Sequence, residues 1–133
     1  PKKIKIGSSD PLRDFNYVQD TVDAYIKSIN NKKIAGKVIN VGSGYELSVG
    51  ELLIKIAKIM NIPYSIKVDK KRIRPKKSEV NRLLASNKKA LDLLKWKPNY
   101  SGKKFIDTSL KKTIDWFSDN KNLAMYKTNI YNL

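Results

Sequence analysis

The 133-residue sequence contains neither cysteine nor histidine. Lack of cysteine excludes disulfides, a thiol nucleophile and thiolate metal sites, and lack of histidine removes the commonest general base and the commonest zinc ligand. Metallohydrolases and hydrolases built on Ser-His or Cys-His pairs are therefore excluded. Arginine is scarce, since Arg13, Arg72, Arg74 and Arg82 are the only four among 28 basic residues. No apolar run approaches the roughly 20 residues of a membrane-spanning helix. The basic N-terminal stretch PKKIKIGSSDPL has no apolar core of a secretory signal. A membrane is thus not an expected partner, and the cytoplasm is the expected compartment.

What is present fits one globular α/β domain over residues 1–133, with 41% apolar and 30% charged residues. The 28 basic residues against 12 acidic ones give a net charge of +16. Lys67 to Lys77, KVDKKRIRPKK, holds a single acid among its basic residues. A basic nucleic-acid-binding module is one reading of that stretch. Lysine is spread over every other segment, however, and solvated lysine is the simpler reading, so nucleic acid is not the expected partner.

Hydrophobic periodicity predicts alternating strands and helices. Ile4 and Ile6 alternate with lysines as a half-buried strand, and Tyr64, Ile66 and Val68 form another. Asp20 is placed to N-cap a helix whose Val22, Tyr25, Ile26 and Ile29 share one face. Val38 to Val41 reads as an apolar run of strand length closed by Gly42-Ser43-Gly44. Ser48 and Glu51 spell a capping box before a helix striped by Leu52, Leu53, Ile56 and Ile59. Ser86 is placed to cap a short helix, Trp96-Lys97-Pro98 forces an extended stop, and a last helix runs from about Phe105 to Phe117. Apolar residues in the tail, Leu123 to Tyr131, suggest that it packs. A sheet this thin leaves edges needing cover, so part of the core is expected outside this chain.

Two motifs imitate cofactor chemistry. Gly42-Ser43-Gly44 between a strand and a helix resembles the start of a dinucleotide-binding loop, yet Leu47 occupies the third glycine position and no acid closes the next strand. Tyr100 and Lys104 fit Y-x-x-x-K, but Pro98 and Gly102 bracket a turn where that pair needs a helix. Both read as coincidence. The arginine-bearing stretches, RDFNYV from Arg13 and RIRPKKSEV from Arg72, are better candidates because a planar guanidinium clamps phosphate oxygens in pairs.

Four ordered blocks, RDFNYVQDTVDAYI, VINVGSGYELSVGELL, RIRPKKSEVNRLLASNKKALDLLKWKP and LKKTIDWF, resemble the C-terminal, substrate-binding part of an extended short-chain dehydrogenase/reductase. The family is that of the NAD-dependent nucleotide-sugar epimerases and dehydratases. The spelling R-P-x-x-S-E-V-x-R-L resembles most the nucleotide-N-acetylhexosamine 4,6-dehydratases of legionaminic-acid-type pathways of surface polysaccharide biosynthesis. The resemblance implies a small mixed sheet with about four helices, joined to an N-terminal Rossmann cofactor domain absent from this chain. It implies NAD or NADP in the full-length enzyme, none bound by this chain alone, and no catalytic residue within it. A lobe of a nucleotide-sugar 4-epimerase is the alternative. Carried over by motif, Arg13 and Arg74 reach the diphosphate, Ser78 and Glu79 contact phosphate or ribose hydroxyls, and Ser48 lies near a polar substrate contact. Expected partners are a nucleotide-diphosphate sugar, the Rossmann half and further copies in a homo-oligomer. The chain alone is expected to be inactive.

Overall fold

A computed structural model describes residues 2–29, 31–75 and 77–126. It is an α/β structure with two small sheets in place of one. Strand β1 (Lys2–Ile6) pairs in parallel with β4 (Tyr64–Val68), Ile4 opposite Ile66. In the second sheet, β2 (Leu12–Asp14) lies between β3 (Glu46–Ser48), which is antiparallel to it, and β5 (Arg82–Leu83), which is parallel. Strand alternation is visible in β1, but in β4 the face bearing Ile66 and Val68 is exposed, because nothing described covers it.

Five helices are described where about four were expected: α1 (Val18–Ser28), α2 (Val49–Ile59), α3 (Lys88–Leu94), α4 (Lys103–Ser118) and the short α5 (Asn120–Leu123). None is long and apolar enough to cross a membrane. The capping box of α2 forms as its spelling predicts: Glu51 N–H donates to Ser48 Oγ and Ser48 N–H to Glu51 Oε2. Two other caps differ from expectation. Helix α1 begins after Tyr17, and Asp20 turns inward from its first turn. Helix α3 begins after Asn87 in place of Ser86, and the Asn87 amide bonds both backbone groups of Gly42.

The core is small. Ala24 of α1 meets Ala90 and Leu94 of α3, with Trp96 beneath and Ile34, Ile39 and Val41 around it. Small residues let α1 and α3 approach closely, and Trp96 is the largest fully buried side chain there. Asp20 is fully buried in this core. Its carboxylate accepts from the N–H groups of Asn99 (2.8 Å) and Tyr100 (3.0 Å), and Trp96 Nε1 donates to the Asp20 carbonyl. Those donors replace the water that burial removes. The apolar stripe of α1 faces outward, with Tyr25 69% and Ile29 66% exposed.

Val38 to Val41 is corrected: it forms no strand, and Val38 is 78% exposed. Its apolar run has no ladder partner among the described residues. In the tail, Tyr126 packs on Trp116 and Phe117, whereas Met125 is exposed. The remainder of the predicted packing tail, including Ile130 and Tyr131, lies outside the described residues.

Candidate functional site

Strand β2 is the centre of the site because its two polar side chains bind segments distant in sequence, Arg13 the turn that carries Glu79 and Asp14 the segments at Ser43 and Ala85. Arg13 and Asp14 follow each other and therefore point to opposite faces. Asp14 turns toward the Gly42-Ser43-Gly44 turn. Its carboxylate accepts from Ser43 N–H (2.7 Å), Ser43 Oγ, Gly44 N–H (3.1 Å) and Ala85 N–H (3.2 Å). A Cβ on Gly42 would collide with Asp14 Oδ2 and Ala85 Cβ, so glycine there permits the close approach. Amides that a dinucleotide loop would offer to a pyrophosphate are thus already taken by an internal carboxylate. Tyr100 lies outside α4, and its hydroxyl accepts from Lys112, not from Lys104. That bond, ahead of the attraction of Tyr100 and Tyr17, holds the Lys112 ammonium above its ordinary pKa. Neither motif fits NAD or NADP, and no cofactor step runs through these residues.

Arg13 lies on the other face. Its Nη1 donates to the Leu12 carbonyl (2.8 Å) and its Nη2 to Glu79 Oε1 (3.0 Å), with both side chains about one-fifth exposed. Arg13 and Glu79 are 66 positions apart in sequence. The structure thus brings together two of the five candidate residues. Glu79 arrives on a tight turn in which the Pro75 carbonyl accepts from Ser78 N–H, Ser78 Oγ and Glu79 N–H. Ser78 is exposed and bound to that turn, and Arg74 stands exposed one residue before it. Arg72, which precedes this loop, donates to the Lys5 carbonyl (3.0 Å) and pairs with Asp69. Gly7 packs so closely on the Arg72 backbone that a Cβ would clash with its carbonyl. Ser48 stands apart from this group: it pairs with Leu12 in register, on the face opposite Arg13, and its hydroxyl is used by the capping box.

A cleft of about 670 Å³ opens beside Arg13, between α1 and the segments 39–42 and 83–85. Its wall joins apolar residues, among them Ala24, Ile39 and Leu83, to polar ones that include Arg13, Asp14 and Asn16. Asn16 is a residue that sequence reasoning passed over. Its Nδ2 donates to Thr21 Oγ1 (2.6 Å), while its Oδ1 is buried without a hydrogen-bond partner among the described residues. An asparagine between two aromatic residues reads as a plain loop former, so no sequence signal marks it. Three or more carboxylates placed to hold a metal ion are not found among the described residues.

The family model described as GDP-mannose 4,6 dehydratase matches residues 1–109. The GDP-6-deoxy-D-mannose reductase of Pseudomonas aeruginosa is 33% identical over 116 residues, 87% of this chain and 36% of that protein. Among solved structures, RMD from Pseudomonas aeruginosa complexed with NADPH superposes with a TM-score of 0.71 at 30% identity, covering 86% of this chain and 35% of that one. UDP-glucose 4-epimerase from Thermotoga maritima with UDP-glucose gives a TM-score of 0.71 at 25% identity, covering 92% and 35%. The chain spans about a third of the length of the relatives it matches.

Proposed function

The chain belongs to the GDP-mannose 4,6 dehydratase family, and from that premise we propose that residues 1–133 form the nucleotide-sugar-binding lobe of an NAD(P)-dependent 4,6-dehydratase acting in surface glycan biosynthesis. The carrying observation is the 3.0 Å contact between Arg13 and Glu79. Two motifs far apart in sequence, R-D-F and R-P-x-x-S-E-V, meet at this contact, and Arg13 also lines the cleft. In this reading Arg13 and Arg74 grip the diphosphate of the substrate, and Ser78 and Glu79 lie on its ribose side. The lobe binds and orients; binding energy gained on the nucleotide holds the sugar for chemistry at groups that these residues do not supply. The redox cofactor, NAD or NADP, and the proton-transfer groups belong to a Rossmann portion of the full-length enzyme. A legionaminic-acid-type N-acetylhexosamine substrate is the finer proposal, resting on the spelling of the Arg74 to Leu83 segment. The second reading, a 4-epimerase lobe, draws on the likeness to the Thermotoga maritima UDP-glucose 4-epimerase.

Calorimetric titration of the chain with uridine and guanosine diphosphates tests the lobe reading. Arg74→Lys is expected to weaken binding nearly as much as Arg74→Ala, about ten- to a hundredfold, because a point charge cannot replace a bidentate fork. Unchanged affinity in both variants would remove Arg74 from the site.

A further inference from the structure

The loop carrying Arg74 is fixed at both ends. At its start Arg72 is bonded to Lys5 and Asp69. At its end Leu12 N–H donates to the Asn81 carbonyl (2.8 Å), and β5 joins the sheet. Between these ends Pro75, Ser78 and Glu79 form one hydrogen-bonded turn. Glu79 crosses from that turn to Arg13. We propose that Glu79 is a positioning residue: by bonding the Arg13 guanidinium its carboxylate fastens the 75–79 turn, and Arg74 with it, against β2.

Three observations carry this. The bond joins a loop to a central strand, so its loss frees a segment whose remaining described ties lie at its two ends. Both partners are only about one-fifth exposed, which makes the pair less screened than a surface ion pair. Arg13 is held at Nη1 by Leu12 and at Nη2 by Glu79, so its fork is oriented before any ligand arrives. A side chain already held in place loses less freedom on binding. The fastening itself is independent of what the arginines bind; only the ligand arm of the test rests on the nucleotide reading.

The experiment is limited digestion of the 133-residue chain with trypsin, followed by mass spectrometry. It reads the rate of cutting after Lys77, in the loop, relative to that after Lys33, in the exposed 3-10 turn Lys32–Ile34. Glu79→Gln and Arg13→Gln are each expected to raise this ratio about three- to tenfold, and the double variant no more than either alone. An unchanged ratio, including equal acceleration at both sites through general unfolding, overturns the proposal. Fully additive effects of the two substitutions do so as well. In the ligand arm, uridine diphosphate should lower the ratio in the unmodified chain, and Glu79→Gln should weaken its binding and that of 2′-deoxyuridine diphosphate equally. A loss seen with the ribonucleotide alone makes Glu79 a ribose ligand and overturns its positioning role. If neither diphosphate binds while the two substitutions remain non-additive, the fastening stands and the nucleotide reading falls.

Discussion

Two aspartates hold together segments that the chain order keeps apart, and both do so by accepting backbone N–H groups. Asp20 sits in the core with one carboxylate oxygen for Asn99 and the other for Tyr100. Asp20→Asn would turn an amide NH2 toward one of those N–H groups, donor against donor, at a position fully buried from solvent. A loss of about 3 kcal/mol in urea unfolding is expected, with Asp20→Ala at least as large; a change below about 0.5 kcal/mol would show that the two bonds do not hold this corner. The sequence reading of Asp20 as a cap and its actual use demand the same residue type. What separates them is the identity of the donors, and these lie 79 and 80 positions away, beyond any local pattern. The scarce arginines marked the stretches that carry Arg13 and Glu79 as candidates, but the meeting of the two side chains was hidden, because 66 positions separate them and no local spacing joins them.

At the scale of elements, α2 was the most readable because every determinant of its start is local. Ser48→Ala should cost about 1 kcal/mol in chemical unfolding. Glu51 has its carboxyl held below its ordinary value near 4.5, chiefly by the Ser48 backbone N–H and then by the Ser48 side chain. A depressed folded-state pKa adds stability above the ordinary value, and that contribution disappears as pH falls through the depressed one. Urea midpoints measured at pH 6 and pH 3 should therefore fall more in the unmodified chain than in Glu51→Gln; parallel falls would exclude the capping carboxylate as a source. Val38 to Val41 packs Ile39 and Val41 on the core without joining a sheet, because an apolar run shows that a segment seeks cover and not whether it finds a ladder partner. The apolar stripe of α1 is uncovered among the described residues. The parallel pairing of β1 with β4 was equally hidden, since two alternating segments do not announce which partner each will take.

Across the whole molecule, a net charge of +16 is set against an uncovered apolar stripe on α1. Charge repulsion keeps copies apart at low ionic strength and is screened as salt rises. Light scattering on nuclease-treated chain should thus give a mass that stays above, or climbs from, the monomer value with added salt. Ile26→Glu, on the exposed stripe, should bring it back toward the monomer. A strictly monomeric chain at every salt concentration would mean that the stripe attracts no second copy. The sheet pairings also set a timetable. Each described strand finds its neighbour far along the chain, and Asp14 waits for Ala85, 71 positions later. At roughly 5–20 residues per second of synthesis, β1 and β2 emerge several seconds before β4 and β5 exist. Through that interval Ile4 and Ile6 are bare strand material, flanked by Lys3 and Lys5. Lysines so placed act as gatekeepers against premature strand pairing during that wait.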